Sequence, residues 1–337
     1  MERSGTILRG RTFEPVEGTL HVEDGEIVAI EERAVDADRI LCPAFVNAHT
    51  HLGDSIAKGA GEGLSLEELV APPDGLKHRL LRAAEHDDLV EGMRRSLRYM
   101  QAGGTAACID FREGGVEGVE ALQAAARGLA IEPTILGRDT TDVLEIADGF
   151  GASGAADADF GAERAATRDA DGIFAIHAGE VRESDIDPAL ALDPDFLVHM
   201  VHATEEHLRR VADEDVPVVV CPRSNLVTDV GLPPVEALSD ATDVALGTDN
   251  VFLNAPSMFR EMATTAKHFE LPSAAVLAMA TYRGAELIGS DAGVLEPGRP
   301  ATLVALDADS HNLAGARDPV RAIVRRASHA DVEEVLL

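Results

Sequence analysis

Two rhythms of apolar and polar residues divide the chain. From residue 6 to 41, short apolar runs alternate with turns: Thr19 to Val22, Ile27 to Ile30 and Arg39 to Leu41, with Asp24-Gly25 between the first two. An Asp-Gly pair between two such runs predicts a β-hairpin. The same texture returns at Ala301 to Leu306 and Ala322 to Val324, after the Pro297-Gly298 turn. These distant β segments are expected to pair into one small β-sandwich domain made of residues 1–42 and 293–337.

From Pro43 the rhythm becomes strand, loop, helix. Expected strands are Phe45 to His49, Ala106 to Phe111, Glu132 to Gly137, Leu144 to Phe150, Ile173 to His177, Phe196 to His199, Val216 to Cys221 and Val244 to Gly247. Helical spacing lies between them at His86 to Gln101, Val116 to Arg127, Ala162 to Asp169, Glu205 to Asp213 and Met258 to His268. Eight strand–helix units predict an α/β fold, a (β/α)8 TIM barrel over residues 43–292, inserted between the two halves of the β domain. Such barrels build their sites at the C-terminal ends of the strands, so strand ends carry the functional reading.

Those ends are rich in ligating side chains. The first strand closes on His49-Thr-His51, and residues i and i+2 of a strand share a face. The fifth closes on His177-Ala-Gly-Glu180, the sixth on His199 with His202 beyond, the seventh on Cys221-Pro-Arg-Ser-Asn225, and the eighth on Gly247-Thr-Asp249. One histidine on an apolar strand is ordinarily structural. Several histidines and an aspartate on one barrel face suit a divalent metal, with His49, His51, His177 and Asp249 leaving an open position; zinc or ferrous iron fits such donors.

Composition narrows the partners. Net charge is −31, with 60 acidic residues against 29 basic ones, which argues against nucleic acid and anionic membranes. Lys58, Lys77 and Lys267 are the three lysines, leaving 26 arginines (29 − 3). An acid-rich, lysine-poor surface is the expected look of a halophilic protein. Cys42, Cys108 and Cys221 are too scattered for a disulfide framework. No signal peptide or membrane-spanning run is evident, so a cytoplasmic protein is expected. A homo-oligomer stays open.

At the strand ends the chain resembles the amidohydrolase superfamily, and more narrowly the metal-dependent aminohydrolases that deaminate nucleobases, nucleosides and related heterocycles, a group that includes the cytosine, guanine and S-adenosylhomocysteine deaminases and the chlorohydrolases. The resemblance rests on His49-Thr-His51, the His177/Glu180 pair, Val198-His199-Met-Val-His202, Cys221-Pro-Arg-Ser-Asn225, Gly247-Thr-Asp249 with Asn254, Ala280-Thr-Tyr-Arg-Gly-Ala285 and Gly293-Val-Leu-Glu-Pro-Gly298. It implies that His49, His51, His177 and Asp249 bind one metal ion, Zn2+ first and Fe2+ second. It further implies that His199 contacts the water or the substrate, that Asp249 takes the water's proton, and that Glu180 shuttles protons to the ring nitrogen and the leaving amine. Metal-bound hydroxide would attack the amine-bearing carbon with release of ammonia. The bland reading of Glu180 is a surface carboxylate beside a strand end.

The expected strand four has no lysine to bridge a second metal, so a single ion is favoured. It also lacks the histidine that many deaminating relatives carry there. Pro43-Ala44 and Pro300-Ala-Thr302 depart from the family at positions that touch the frame alone. Arg112, Arg138, Arg182 and Arg223 each follow a strand end. Either they form a cationic patch for an anionic substrate group, or each pairs with a neighbouring acid such as Glu113, Asp139, Glu183 or Asp229. Asn225 and Asn254 either contact substrate or brace turns. With no Trp and two Tyr, stacking on a base would fall to Phe or Met, with Phe111 and Phe252 as candidates. The long Leu52 to Lys77 segment is either a lid or a surface excursion carrying a short helix, Ser65 to Val70. The competing activities are hydrolysis of a cyclic amide or formamide C–N bond with the same metal, and a metal-free binding scaffold.

Overall fold

The computed structural model describes residues 1–71 and 74–337. Its larger sheet is parallel and nine-stranded, and spatial order follows chain order. The strands are Phe45–His51, Thr105–Arg112, Glu132–Gly137, Gly149–Ala152, Ile173–Ala178, Phe196–His199, Val218–Val220 and Val244–Leu246, followed by the short Asp249–Asn250. Asp249 and Asn250 pair with Thr50 and His51 of the first strand, so the sheet curls until its last segment meets its first. This is a TIM-like arrangement of mixed α/β class. Ile109, Phe111, Leu136, Phe196, Val198 and Val219 pack in a cluster of their own, all fully or nearly fully buried.

The helices form where apolar spacing and caps agree. His86–Ala102 buries Met93, Ser96, Leu97 and Met100, one stripe at helical spacing. It ends at Gly103, with Gly104 in the left-handed region at φ 82°. Glu205–Asp213 starts from Thr204, whose hydroxyl accepts from the His207 amide while the His207 ring accepts from the Thr204 amide. Both spans match the sequence expectation to within a residue.

The fourth strand does not. Leu144 and Glu145 end a 3-10 turn, Thr141–Glu145, that buries Val143, and the strand begins at Gly149. The local apolar pattern continued through a turn whose side chains also reach the core.

The chain ends build a second sheet in the order Val332–Leu336, Leu303–Asp307, Arg39–Pro43, Glu2–Arg9, Glu14–Glu23, Glu26–Glu32. Among the described residues this is one six-stranded sheet rather than the two facing sheets of a sandwich. Its Asp24-Gly25 hairpin has both residues at positive φ, 49° and 81°, the geometry that a two-residue type I′ turn requires. The other correction concerns Ala322 to Val324, which belongs to helix Pro319–Arg325. Proline opens that helix, and the Asp318 side chain accepts from the Arg321 amide at 2.9 Å.

Alternation along the strands assigns the two faces. Ile7, Leu41, Leu303 and Ala305 share one cluster, while Leu8, Ile40, Cys42, Val304 and Leu306 join the main core with the barrel helices. Full burial of a Leu or Val contributes roughly 1.5–3 kcal/mol, so both faces hold this sheet in place.

Candidate metal centre

The site lies where four parallel strands end. In the first strand every residue is buried. Its register against the second strand shifts between Asn47 and Thr50. Thr50 turns to that strand, donating to the Ile109 carbonyl at 3.1 Å and to Asp110 Oδ2 at 3.0 Å. His49 and His51 face the site, with ring centroids 4.9 Å apart; the His177 ring is 4.9 Å from His49, and His199 is 5.3 Å from His177. Gly247 makes room for this: a Cβ there would lie 2.6 Å from Cβ of His49.

Asp249 Oδ1 lies 3.4 Å from His49 Nε2 and 3.5 Å from His51 Nε2. Those gaps exceed an ordinary N–H···O bond. A tetrahedral ion with bonds near 2.1 Å holds its donor atoms about 3.4 Å apart. The donor atoms of His49, His51 and Asp249 lie within 4.8 Å of one another, as do those of His49, His177 and His199, and those of Glu180, His199 and Asp249.

The unpaired atoms agree. His49 is fully buried, and neither ring nitrogen has a hydrogen-bond partner among the described residues, which is costly unless something else satisfies them. His51 Nδ1 donates to the Phe111 carbonyl at 3.1 Å and His177 Nδ1 to the Ala152 carbonyl at 2.8 Å. A proton on Nδ1 leaves the Nε2 lone pair free as a ligand. Burial lowers the pKa of His49 and His177 and, with the Lys77 charge, that of His51 to about 3. Neutral imidazoles are the form that ligates. The residues present therefore fit a divalent ion.

Asp249 has two further donors: Ser224 to Oδ2, on the side away from the histidines, and Asn250 Nδ2 to Oδ1 at 2.9 Å. Its backbone is left-handed, at φ 57°, as are His199 at 84° and Met200 at 56°. Each costs on the order of 1–3 kcal/mol, and such strain gathers where side chains are aimed at a site. His199 Nε2 sits 3.6 Å from Glu180 Oε2, and its Nδ1 is 3.3 Å from Asn225 Nδ2. Burial raises the Glu180 pKa above its usual value. A half-buried carboxyl in that state suits an acid–base role better than a surface one.

His51, His177, Glu180, His199 and Asp249 line one cleft of about 510 Å3, a common size for small-molecule sites. Of the four arginines, Arg138 and Arg182 reach it. Arg138 Nε donates to the Gly151 carbonyl at 2.9 Å, and its Nη2 has no hydrogen-bond partner among the described residues. Arg112 does not line this cleft. It is buried against Glu113 at 2.7 Å and Met93 Sδ at 3.3 Å. Arg223 is also elsewhere, donating to Ala255 O and Asn254 Oδ1, each at 3.1 Å, and to Glu261 at 3.3 Å. Asn225 stands behind His199 rather than in the cleft wall. Neither stacking candidate lines the cleft: Phe111 packs edge-on at 4.6 Å from the His49 ring, and Phe252 packs with Ala57 and Leu69.

Sequence reasoning missed Lys77, Glu113 and Ser224. Lys77 lines the cleft from helix Leu76–Ala83 in the excursion after the first strand. Its rarity in a chain of arginines was the one available signal. No helix among the described residues is long and apolar enough to cross a membrane.

Known proteins resemble this chain over most of its length. A protein of Methanothermobacter thermautotrophicus that carries an aminohydrolase name is 36% identical over 98% of this chain and 95% of its own. A 5-methylthioadenosine/S-adenosylhomocysteine deaminase of Halobacterium salinarum is 28% identical over 93% of this chain and 84% of its own. Among solved structures, atrazine chlorohydrolase from Arthrobacter aurescens, complexed with zinc, superposes with a TM-score of 0.84 at 19% identity, covering 99% of this chain and 93% of that one. The amidohydrolase family profile matches residues 40–170 and 144–336, most of the chain; this protein therefore belongs to the amidohydrolase family and is a hydrolase acting on carbon–nitrogen bonds.

Proposed function

We propose that the protein is a hydrolytic deaminase of an aminated heterocycle, a nucleobase, nucleoside or related compound. The observation that carries this reading is Glu180: it stands 3.6 Å from His199 on the wall of the same cleft as His51, His177 and Asp249. Loss of ammonia from a ring needs a proton donor beside the reacting carbon, and a carboxyl on this wall, with its pKa raised, suits that role.

His49, His51, His177 and Asp249 would hold one divalent ion, zinc on the chemistry of three imidazoles and a carboxylate. When bound, such an ion lowers the pKa of water to about 7. Asp249, oriented by Ser224 and Asn250, accepts the proton of the attacking water. Glu180 gives its proton to the ring nitrogen, takes up the second proton of the added water and passes it to the departing amine; the proton held by Asp249 then returns to Glu180, restoring both carboxyls. His199, fixed by Asn225, faces the same space and hydrogen-bonds the attacked centre. Arg138 and Arg182 supply cationic charge at the wall for an anionic or carbonyl-bearing substituent.

Ammonia release across purines, pyrimidines, pterins and their nucleosides and phosphates tests the reading. Turnover of one class is expected, and Glu180→Gln should lower kcat by about 10²–10⁴-fold with metal content unchanged. A ring-opened carboxylate without ammonia would replace deamination by amide hydrolysis. A Glu180→Gln variant of normal kcat would remove the proposed proton route.

A further inference from the structure

Behind His51 lies a buried charge cluster that the reaction above does not use. Glu113 is 6% exposed and Lys77 5%. The two oxygens of Glu113 face different partners. Oε2 accepts from Arg112 Nη2 at 2.7 Å. Oε1 lies 2.9 Å from His51 Nδ1, 2.6 Å from Lys77 Nζ and 3.6 Å from Arg138 Nη1. Lys77 also donates to Asn250 Oδ1 at 3.2 Å, and Asn250 in turn holds Asp249. One carboxylate oxygen is thus shared between the far nitrogen of an imidazole in the metal set and the ammonium of a helix that follows the first strand.

We propose that Glu113 is a positioning residue: its carboxylate, anchored by Arg112 and Lys77, fixes and polarises the His51 imidazole from the side away from the ion. The inference rests on His51 being a ligand and is independent of the substrate. A carboxylate beside the non-ligating nitrogen restrains the ring and makes the ligating nitrogen more basic. The Phe111 carbonyl already accepts the Nδ1 proton, so Glu113 supplies charge and restraint rather than the choice of tautomer. Lys77 and Arg112 keep that charge balanced where burial would otherwise make it costly.

The test separates positioning from charge balance. Zinc affinity is measured by competition with a chromophoric chelator, and the fold by the melting temperature of the metal-free protein, for Glu113→Gln, Lys77→Met and the double variant. Glu113→Gln should weaken zinc binding by about 10–100-fold, and Lys77→Met by less than Glu113→Gln, because Arg112 still anchors the carboxylate. The double variant removes both charges together. It should recover the melting temperature lost in the single variants and keep the weakened zinc affinity of Glu113→Gln. It also serves if Glu113→Gln alone fails to fold. Wild-type zinc affinity in the double variant would overturn the proposal. A wild-type protein that takes up no zinc would overturn it together with the metal reading. Normal zinc binding without ammonia release would sink the deaminase reading alone.

Discussion

Dialysing the protein against a chelator and titrating zinc back tests the proposed centre of His49, His51, His177 and Asp249 without needing a substrate. An ion that binds the native chain alone stabilises it by about 4.1 kcal/mol when its free concentration is about a thousand times its dissociation constant. Unfolding entropy near 2.1 cal/mol/K per residue amounts to about 0.7 kcal/mol/K over 337 residues, so the melting temperature should rise by about 6 °C. The rise should vanish in His49→Asn. That ring makes no hydrogen bond to another described residue, and comparing stripped with loaded protein for each variant cancels the packing cost of replacing a buried ring. Differential scanning calorimetry of both proteins, stripped and zinc-loaded, is the assay. Identical melting of stripped and loaded wild type, or an equal rise in His49→Asn, would refute the shared-ion geometry built on the 3.4 and 3.5 Å contacts of Asp249.

Asn225→Ala should lower kcat by up to about 100-fold through misplacement of His199, with zinc content unchanged by elemental analysis; an unchanged kcat would make Asn225 a brace alone. Asp331 accepts from Ser310, Asn312 and Ser328, and these hydrogen bonds outweigh burial and hold its pKa below the usual carboxylate value. Because the folded value is depressed, its stabilisation is present above the unfolded value of about 3.9 and is lost as pH falls through the folded value. Asp331→Ala should therefore cost about 1–3 kcal/mol at pH 7 and much less near pH 2, read by denaturant titration at both; equal costs would deny the linkage. With a net charge of −31, molar salt, which cuts the Debye length from about 30 Å at 0.01 M to about 3 Å at 1 M, should raise the melting temperature well above its low-salt value. A flat salt profile would end the halophilic expectation.

The barrel strands and the histidines that close them were legible because each lies in a short apolar run whose end is marked by a change of pattern. Periodicity reports burial within one element. It failed at residues 144–150, where Leu144 and Ala147 of a half-exposed turn pack against the same core as the strand that follows, and at Ala322 to Val324, where a helix turn is as apolar as a strand. It could not separate one sheet from two, since both give the same alternation. The charge cluster was hidden for another reason. Glu113 follows Arg112 in sequence and read as its local counter-charge, whereas its approach to His51 and Lys77 exists only after three elements have been brought together. Likewise, four arginines at equivalent strand ends looked interchangeable, and packing sends two to the cleft and buries two in structural contacts.

The position of Arg39–Pro43 in its sheet bears on biosynthesis. It is flanked by Glu2–Arg9 on one side and Leu303–Asp307 on the other. As the polypeptide leaves the ribosome, the first neighbour is already present and the second is still to be made. At about 5–20 residues per second, the stretch from position 43 to position 307 takes on the order of 15–50 s to synthesise. Throughout that interval the nascent molecule carries a bare backbone edge on the strand that precedes His49 and His51 in sequence, open to misassociation with neighbouring chains. Synthesis of Leu303–Asp307, rather than barrel formation, is the event that shields it.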